Sequence, residues 1–173
     1  MMAMEAVLET PRLILRAFTL DDVDAMYQLM TVPEVIRYVG NQPAQSKQDT
    51  LDYLMQHPLR DYQVYGYGRF ACVWKETGQV IGFSGIKFLE EIQETELGYR
   101  FLPEFWRKGL ATEAGLAVIE FAKNLGLNRL VAVIHPENEG SKQVALRLGF
   151  ALEGTTALSF IDESDLLLFS RTI

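Results

Sequence analysis

The sequence predicts an α+β fold: a mixed, mostly antiparallel central sheet with helices on both faces. Strand-like runs in the middle of the chain follow one another through tight, turn-like links, which is hairpin order. One long apolar helix pattern then separates two strand patterns and makes a strand–helix–strand crossover, and two last strand runs close the chain. A single crossover inside a hairpin series gives a mixed sheet and not a doubly wound one. At 173 residues and 49% apolar content, residues 1–173 read as a single domain able to bury its own core.

The elements run as follows. Arg12-Leu13-Ile14-Leu15-Arg16 is a short apolar strand, and Thr19 with Asp22 marks a helix start whose apolar positions Val23, Met26, Tyr27 and Met30 recur at helical spacing. Ser46 and Asp49 repeat that capping signature ahead of Leu51, Leu54 and Met55. Tyr62, Tyr65 and Tyr67 flank Gly66 and Gly68 in what reads as an irregular connection, which either lines a groove or covers the core. Strands over 69–75 and 80–88 are joined by Glu76-Thr77-Gly78-Gln79, and a third, over 95–102, ends at Pro103, which cannot donate to a ladder.

After Gly109, Ala114, Val118, Phe121 and Leu125 form one helical stripe and Ala111, Gly115, Ile119 and Ala122 its neighbour, with Gly126 as the stop. Leu130-Val131-Ala132-Val133-Ile134 reads as a strand buried on both faces, ended by His135-Pro136. A short helix over 141–148 stops at Gly149, and strands over 151–158 and 165–171 finish the chain.

Composition bounds the function. No apolar run approaches the roughly 18–20 residues of a membrane helix, and residues 1–9 carry acids instead of a basic leader, so a cytosolic protein is expected. A net charge of −7 argues against general binding of nucleic-acid phosphates and suits a cationic partner. Cys72 is alone, which excludes an internal disulfide, and its place in a strand reads as core filling. His57 and His135 each precede a proline, far apart and with no ligand at metal spacing, so no metal is expected.

The run from Phe105 to Ala114 carries the most chemistry: a Gly-centred turn opens a long amphipathic helix. Unpaired N–H groups and the positive end of the macrodipole make such a start an anion site, Gly109 admits close backbone approach and Lys108 adds a cation. An ordinary tight βα turn has the same look.

Glu96-Leu97-Gly98-Tyr99, Trp106-Arg107-Lys108-Gly109-Leu110-Ala111-Thr112-Glu113-Ala114, and Asn138-Glu139-Gly140-Ser141 through Leu148-Gly149-Phe150 together resemble the GNAT acetyltransferase superfamily. With the opening Glu9-Thr10-Pro11-Arg12-Leu13-Ile14-Leu15-Arg16 they are most similar to its bacterial ribosomal-protein N-acetyltransferase branch, over nearly the whole chain. The resemblance implies the GNAT fold and acetyl-CoA as donor. It places the pyrophosphate on Arg107, Lys108, Gly109, Leu110, Ala111 and Thr112, the acyl arm along Leu97, Gly98 and Tyr99, and Asn138 on the pantetheine. Two positions depart from the superfamily pattern. Trp106 stands where Gln or Arg is usual, and Ala145 stands where many members carry a tyrosine that protonates the leaving thiolate.

Attack of an amine on a thioester needs a base, an oxyanion donor and an acid for the thiolate. Glu96 is the carboxylate placed to be the base; on an alternating strand it shares a face with Gly98 and Arg100, and its other reading is a sheet cap or a partner for a basic neighbour. Backbone N–H groups of that strand are the implied oxyanion donors. Ser141 is the implied acid near the sulfur and is also a good helix cap. The expected acceptor is a primary amine, foremost the N-terminal α-amine of a protein such as a ribosomal protein. A polyamine or aminoglycoside acceptor, or a non-catalytic acyl-CoA-binding regulator, remains the alternative. Asp162, Glu163 and Asp165 lie between the last two strands, where the family's acceptor groove opens, and favour a basic peptide.

Overall fold

A computed structural model describes residues 4–40 and 43–173. Its eight strands form one sheet in the order β1-β2-β3-β4-β5-β6-β8-β7. β2 (Leu13–Ala17), β3 (Arg69–Trp74), β4 (Val80–Leu89) and β5 (Glu94–Phe101) are antiparallel neighbours, and the two-residue β1 (Leu8–Glu9) adds an edge that the sequence pattern is too short to reveal. β6 (Arg129–Ile134) runs parallel to β5, and its other edge carries β8 (Leu166–Thr172), which pairs in turn with β7 (Ala151–Thr156). The sheet is therefore mixed, with one parallel pair.

Pleat alternation sorts the side chains onto two helical layers. Leu13, Leu15, Phe70, Cys72, Leu97 and Phe101 pack with Ala114, Val118, Ile119 and Ala122 of α5 (Leu110–Asn124). Ala71 and Phe83 face the opposite way, against Met26, Leu29 and Met30 of α1 (Val23–Thr31) and Leu54 of α3 (Lys47–Leu54). Cys72 is wholly buried and burial pushes its thiol pKa up, so it is packing, not a nucleophile.

Helix starts follow their caps. The Thr19 capping box holds a short 3₁₀ turn, Leu20–Asp22, which runs into α1. Asp22 is buried, accepts from the Thr19 N–H at 2.9 Å and holds Arg16 in a two-pronged pair, both contacts 2.9 Å. Ser46 caps α3 by accepting from the Asp49 N–H at 3.1 Å.

The stretch from Tyr62 to Tyr65 corrects the expected irregular connection, being helical; a short α2 (Pro33–Ile36) lies farther upstream. Pro58 lacks an amide and its ring opposes the carbonyl a turn earlier; the backbone widens into a π-helical turn, Met55–Leu59, and continues as α4 (Arg60–Tyr65) to Gly66 at φ 77°. Tyr62 is buried there, accepts from the Phe18 N–H and donates to the Arg69 carbonyl, while Tyr65 meets Glu90. Tyr67 is buried and bonds Thr95, so the tyrosines cover the core.

Asp22→Ala leaves both Arg16 and the Thr19 N–H without their partner. A loss of about 1–3 kcal/mol is expected, or roughly 3–10 °C in Tm. Thermal unfolding checks this; a melting point within about 1 °C of wild type would contradict the role given to Asp22.

Candidate functional site

β5 and β6 meet at one register pair, Glu96↔Val131. Beyond it Leu97, Gly98, Tyr99 and Arg100 on one strand and Ala132, Val133 and Ile134 on the other line a shared cavity of about 1200 Å³. The start of α5 lines the same cavity, as do Asn138 and Ser141. Every residue that the resemblance assigns to catalysis or to the cosubstrate lies on it except Lys108, whose carbonyl instead accepts from Arg12 Nη2 at 2.8 Å; Asp162, Glu163 and Asp165 do not line it.

The loop before α5 has two left-handed residues, Arg107 at φ 59° and Gly109 at φ 77°, so that successive backbone amides open toward the helix start. In that first turn Thr112 Oγ1 is buried with no hydrogen-bond partner among the described residues. An anion on the loop completes it; the pyrophosphate of CoA suits both the amides and the orphaned hydroxyl.

Glu113 stands one residue on, an acid beside an anion site. Arg12 neutralises it: Nε lies 2.9 Å from Glu113 Oε1, while Oε2 accepts from Thr10 Oγ1 at 2.7 Å and from the Arg12 N–H at 2.9 Å. Burial works to raise the Glu113 pKa, but these bonds outweigh it and hold the carboxyl below its ordinary range. Trp106 ties the other end of the loop to β5 by donating from Nε1 to the Phe101 carbonyl at 2.7 Å, a structural use for the residue that departs from the superfamily pattern. Nothing local in the sequence pointed to Arg12, which lies 101 residues from its partner.

At the far end Glu96 is buried and paired with Arg69, Nη2 to Oε1 2.8 Å. Burial pushes its pKa up, opposed by the Arg69 guanidinium. The pair needs Gly98: a Cβ there would stand 2.8 Å from Arg69 Nη2 and 3.2 Å from Glu96 Oε1.

Ser141 sits in the first turn of α6 (Glu139–Arg147), and the cap expected of it belongs to Asn138, whose Oδ1 accepts from the Ser141 N–H at 3.2 Å. The serine hydroxyl is thereby left free to meet the Tyr99 phenol at 3.1 Å. Burial raises the Tyr99 pKa, the bond to Ser141 opposing, so the phenol keeps its proton at neutral pH. Tyr99 enters the sequence reading only as a cofactor contact, while Ala145 is buried in the core and has no hydroxyl to offer. Alternation puts Glu96 and Tyr99 on opposite faces of β5, one on each side of the opening.

His57 lies against Tyr53, ring centroids 4.5 Å apart; burial, then the charges of Lys87, Arg69, Arg60 and Arg100, lower its pKa to about 4. His135 lies against Tyr38, with Glu163 Oε2 3.9 Å from its Nε2. Asp162 and Asp165 are exposed nearby. Among the described residues no three metal-ligating side chains gather.

Residues 12–151 match the acetyltransferase (GNAT) domain family. The chain is 34% identical over 150 residues to the N-acetyltransferase YoaA of Bacillus subtilis strain 168, covering 86% of this chain and 84% of that protein. It is 28% identical over 177 residues to the ribosomal-protein-serine acetyltransferase of Escherichia coli K12, covering 98% and 97%. The crystal structure of an acetyltransferase from Agrobacterium tumefaciens C58 superposes with a TM-score of 0.83 at 29% identity, over 96% of this chain and 94% of that one.

Arg12→Ala exposes the Glu113 carboxylate to the anion loop and should raise the Kd for CoA on the order of 10-fold, with Glu113→Gln in the same chain restoring most of it. Titration calorimetry on the single and double variants checks this; equal losses in both would show that Arg12 acts otherwise than by neutralising Glu113.

A second expectation concerns pH. Folding lowers the His57 pKa from 6.5 to about 4, so between those values the unfolded chain binds more protons. The stability linked to His57 is complete above pH 6.5 and drains away as pH falls toward 4. Tm should drop less across that window in His57→Gln than in wild type; parallel curves would contradict the assignment.

Proposed function

The chain belongs to the GNAT acetyltransferase family, and we propose that it moves the acetyl group of acetyl-CoA onto the N-terminal α-amine of a protein such as a ribosomal protein. That it is an acetyl-CoA-dependent N-acetyltransferase follows from the family. One observation carries the reading of the reaction: a buried carboxylate, Glu96, faces the opening from one side while the Ser141–Tyr99 hydroxyl pair faces it from the other.

The loop before α5 anchors the cosubstrate by its pyrophosphate, and acetyl-CoA supplies an activated thioester. Glu96 accepts the proton that the acceptor ammonium must shed, directly or through water; its raised pKa makes it a better base than an exposed carboxylate. An α-amine, with pKa near 8, suits a single carboxylate base better than a lysine amine near 10.4. Backbone N–H groups of β5 beyond Glu96 face the space where the oxyanion develops. Ser141 gives its proton to the departing sulfur and draws a replacement from Tyr99. Of the two protons the ammonium sheds, the first leaves through Glu96 to solvent and the second, released from the nitrogen after attack, returns to Tyr99 through water, so the proton gained by the thiol is matched and an amide bond stands where the thioester stood.

The ribosomal-protein-serine acetyltransferase matched along nearly its full length supports a protein N-terminus as the acceptor. The acidic rim at Asp162, Glu163 and Asp165 supports cationic residues farther along the bound chain, and a rate that falls with added salt.

Because Asn138 holds the cap, Ser141→Ala should leave Tm within about 1 °C of wild type while lowering kcat roughly 10²-fold, the usual scale for a lost general acid. Tyr99→Phe should also lower kcat, with little change in the KM for acetyl-CoA. Glu96→Gln should lose more at low pH than at high pH, where the amine deprotonates unaided. Thiol release checks all three, and normal turnover in Ser141→Ala would end its role as acid. For the acceptor, a peptide with a free N-terminus should outpace the same peptide N-blocked with a free lysine; faster reaction of the blocked peptide, spermidine or an aminoglycoside would overturn the choice.

A further inference from the structure

Arg69, Phe83 and Arg100 stand on one face of three adjacent strands, with Phe83 directly opposite Arg100 in the β4–β5 register. Both guanidiniums rest against the Phe83 ring, 5.1 Å and 5.4 Å from its centre. Arg69 spends Nη2 on Glu96, and its Nε is buried without an acceptor. Arg100 is only 7% exposed and makes no side-chain hydrogen bond or ion pair among the described residues; its Nη1 is buried and orphaned. Lys87 is satisfied by Asp61 at 2.7 Å.

Three cations thus share two carboxylates, and His57, depressed toward pH 4 by burial and by these cations, brings no negative charge. A buried guanidinium with no counter-ion is costly, and native structures place a partner against such a group. Burial works against ionised Arg100, as does the charge of Arg69, with Tyr53 and Glu96 opposing. Arg69 and Arg100 line the cavity that also holds Glu96 and the loop before α5. Arg100 lies on the same face of β5 as Glu96, and Arg69 Nη2, beside Gly98 between them, already touches Glu96, so the two guanidiniums run on from the buried carboxylate along the cavity.

We propose that the acceptor is an amine carrying a carboxylate close to the reacting nitrogen, and that Arg100 together with the unused edge of Arg69 binds that carboxylate. This rests on the acetyltransferase reading of the opening and narrows the acceptor: for a protein, an N-terminus whose second residue is Asp or Glu. The acidic rim then meets residues farther along the chain, and the cationic floor meets the first two. Free amino acids offer the same carboxylate chemistry without a peptide.

The test is thiol release from acetyl-CoA with three peptides that begin with Ser and differ at the second residue, Glu, Gln or Lys, alongside free alanine and alaninamide. The Glu peptide should exceed the Gln peptide in kcat/KM by roughly 10–100-fold, the usual range for charge-assisted hydrogen bonds, with Lys slowest. Arg100→Gln should pull the Glu/Gln ratio toward 1; should that variant fail to fold, the wild-type ratio decides alone. Equal turnover of the Glu and Gln peptides overturns the carboxylate site while the N-terminal acceptor stands. Inert peptides with alanine faster than alaninamide support the carboxylate site and remove the protein acceptor. No carboxylate preference in either series, or no reaction at all, overturns the inference.

Discussion

The single register pair between Glu96 and Val131 is the constraint on which the rest of the site depends. α5 carries the chain from the end of β5 back to the start of β6, so the two strands are parallel neighbours, yet they hold together at one point and then part. Each strand keeps its full ladder on its other edge, β5 with β4 and β6 with β8, so the sheet survives the opening. The gap exposes strand backbone to a ligand on the line along which the first turn of α5 points its free amides. The donor anchor, oxyanion donors and base proposed above all lie along the same break in pairing.

Charge is partitioned around that gap. The chain is acidic overall, at −7, but its buried polar pairs along the cavity leave cationic groups in excess. Arg12 cancels Glu113 beside the anion loop, and Arg69 keeps Glu96 in place across a trough left open by Gly98. These pairs join residues 101 and 27 positions apart, so each locks two elements as well as two charges. Asn138 supplies the cap of α6 and releases the Ser141 hydroxyl, which meets a phenol from β5.

Local signals explain what was legible in the sequence. The mixed sheet followed from hairpin-spaced strands and one crossover helix, and Thr19, Ser46 and Gly109 mark helix starts because capping and turn chemistry act within a few residues. Gly66 and Gly68 among the tyrosines read as an irregular connection, whereas the helix runs on through a π-turn at Pro58 and ends only at Gly66. Serine and asparagine are interchangeable at a cap, so Ser141 reads as one in the sequence, and only the fold shows that the Asn138 oxygen faces the free amide. The roles of Arg12, Arg69, Arg100 and Tyr99 depend on contacts between strands and helices distant in the chain, for which one sequence carries no signal. The break between β5 and β6 is equally silent, since Leu97 to Phe101 reads as any strand.

The central claim is that acetyl-CoA occupies the opening beyond Glu96, its pyrophosphate on the start of α5 and its acyl arm against the free edge of β5. Amide hydrogen exchange with and without CoA tests it most directly. The account predicts slowed exchange at residues 97–101 and 109–113 on adding CoA, with β1 to β3 unchanged; protection confined to other elements, or none at 97–101, would contradict it.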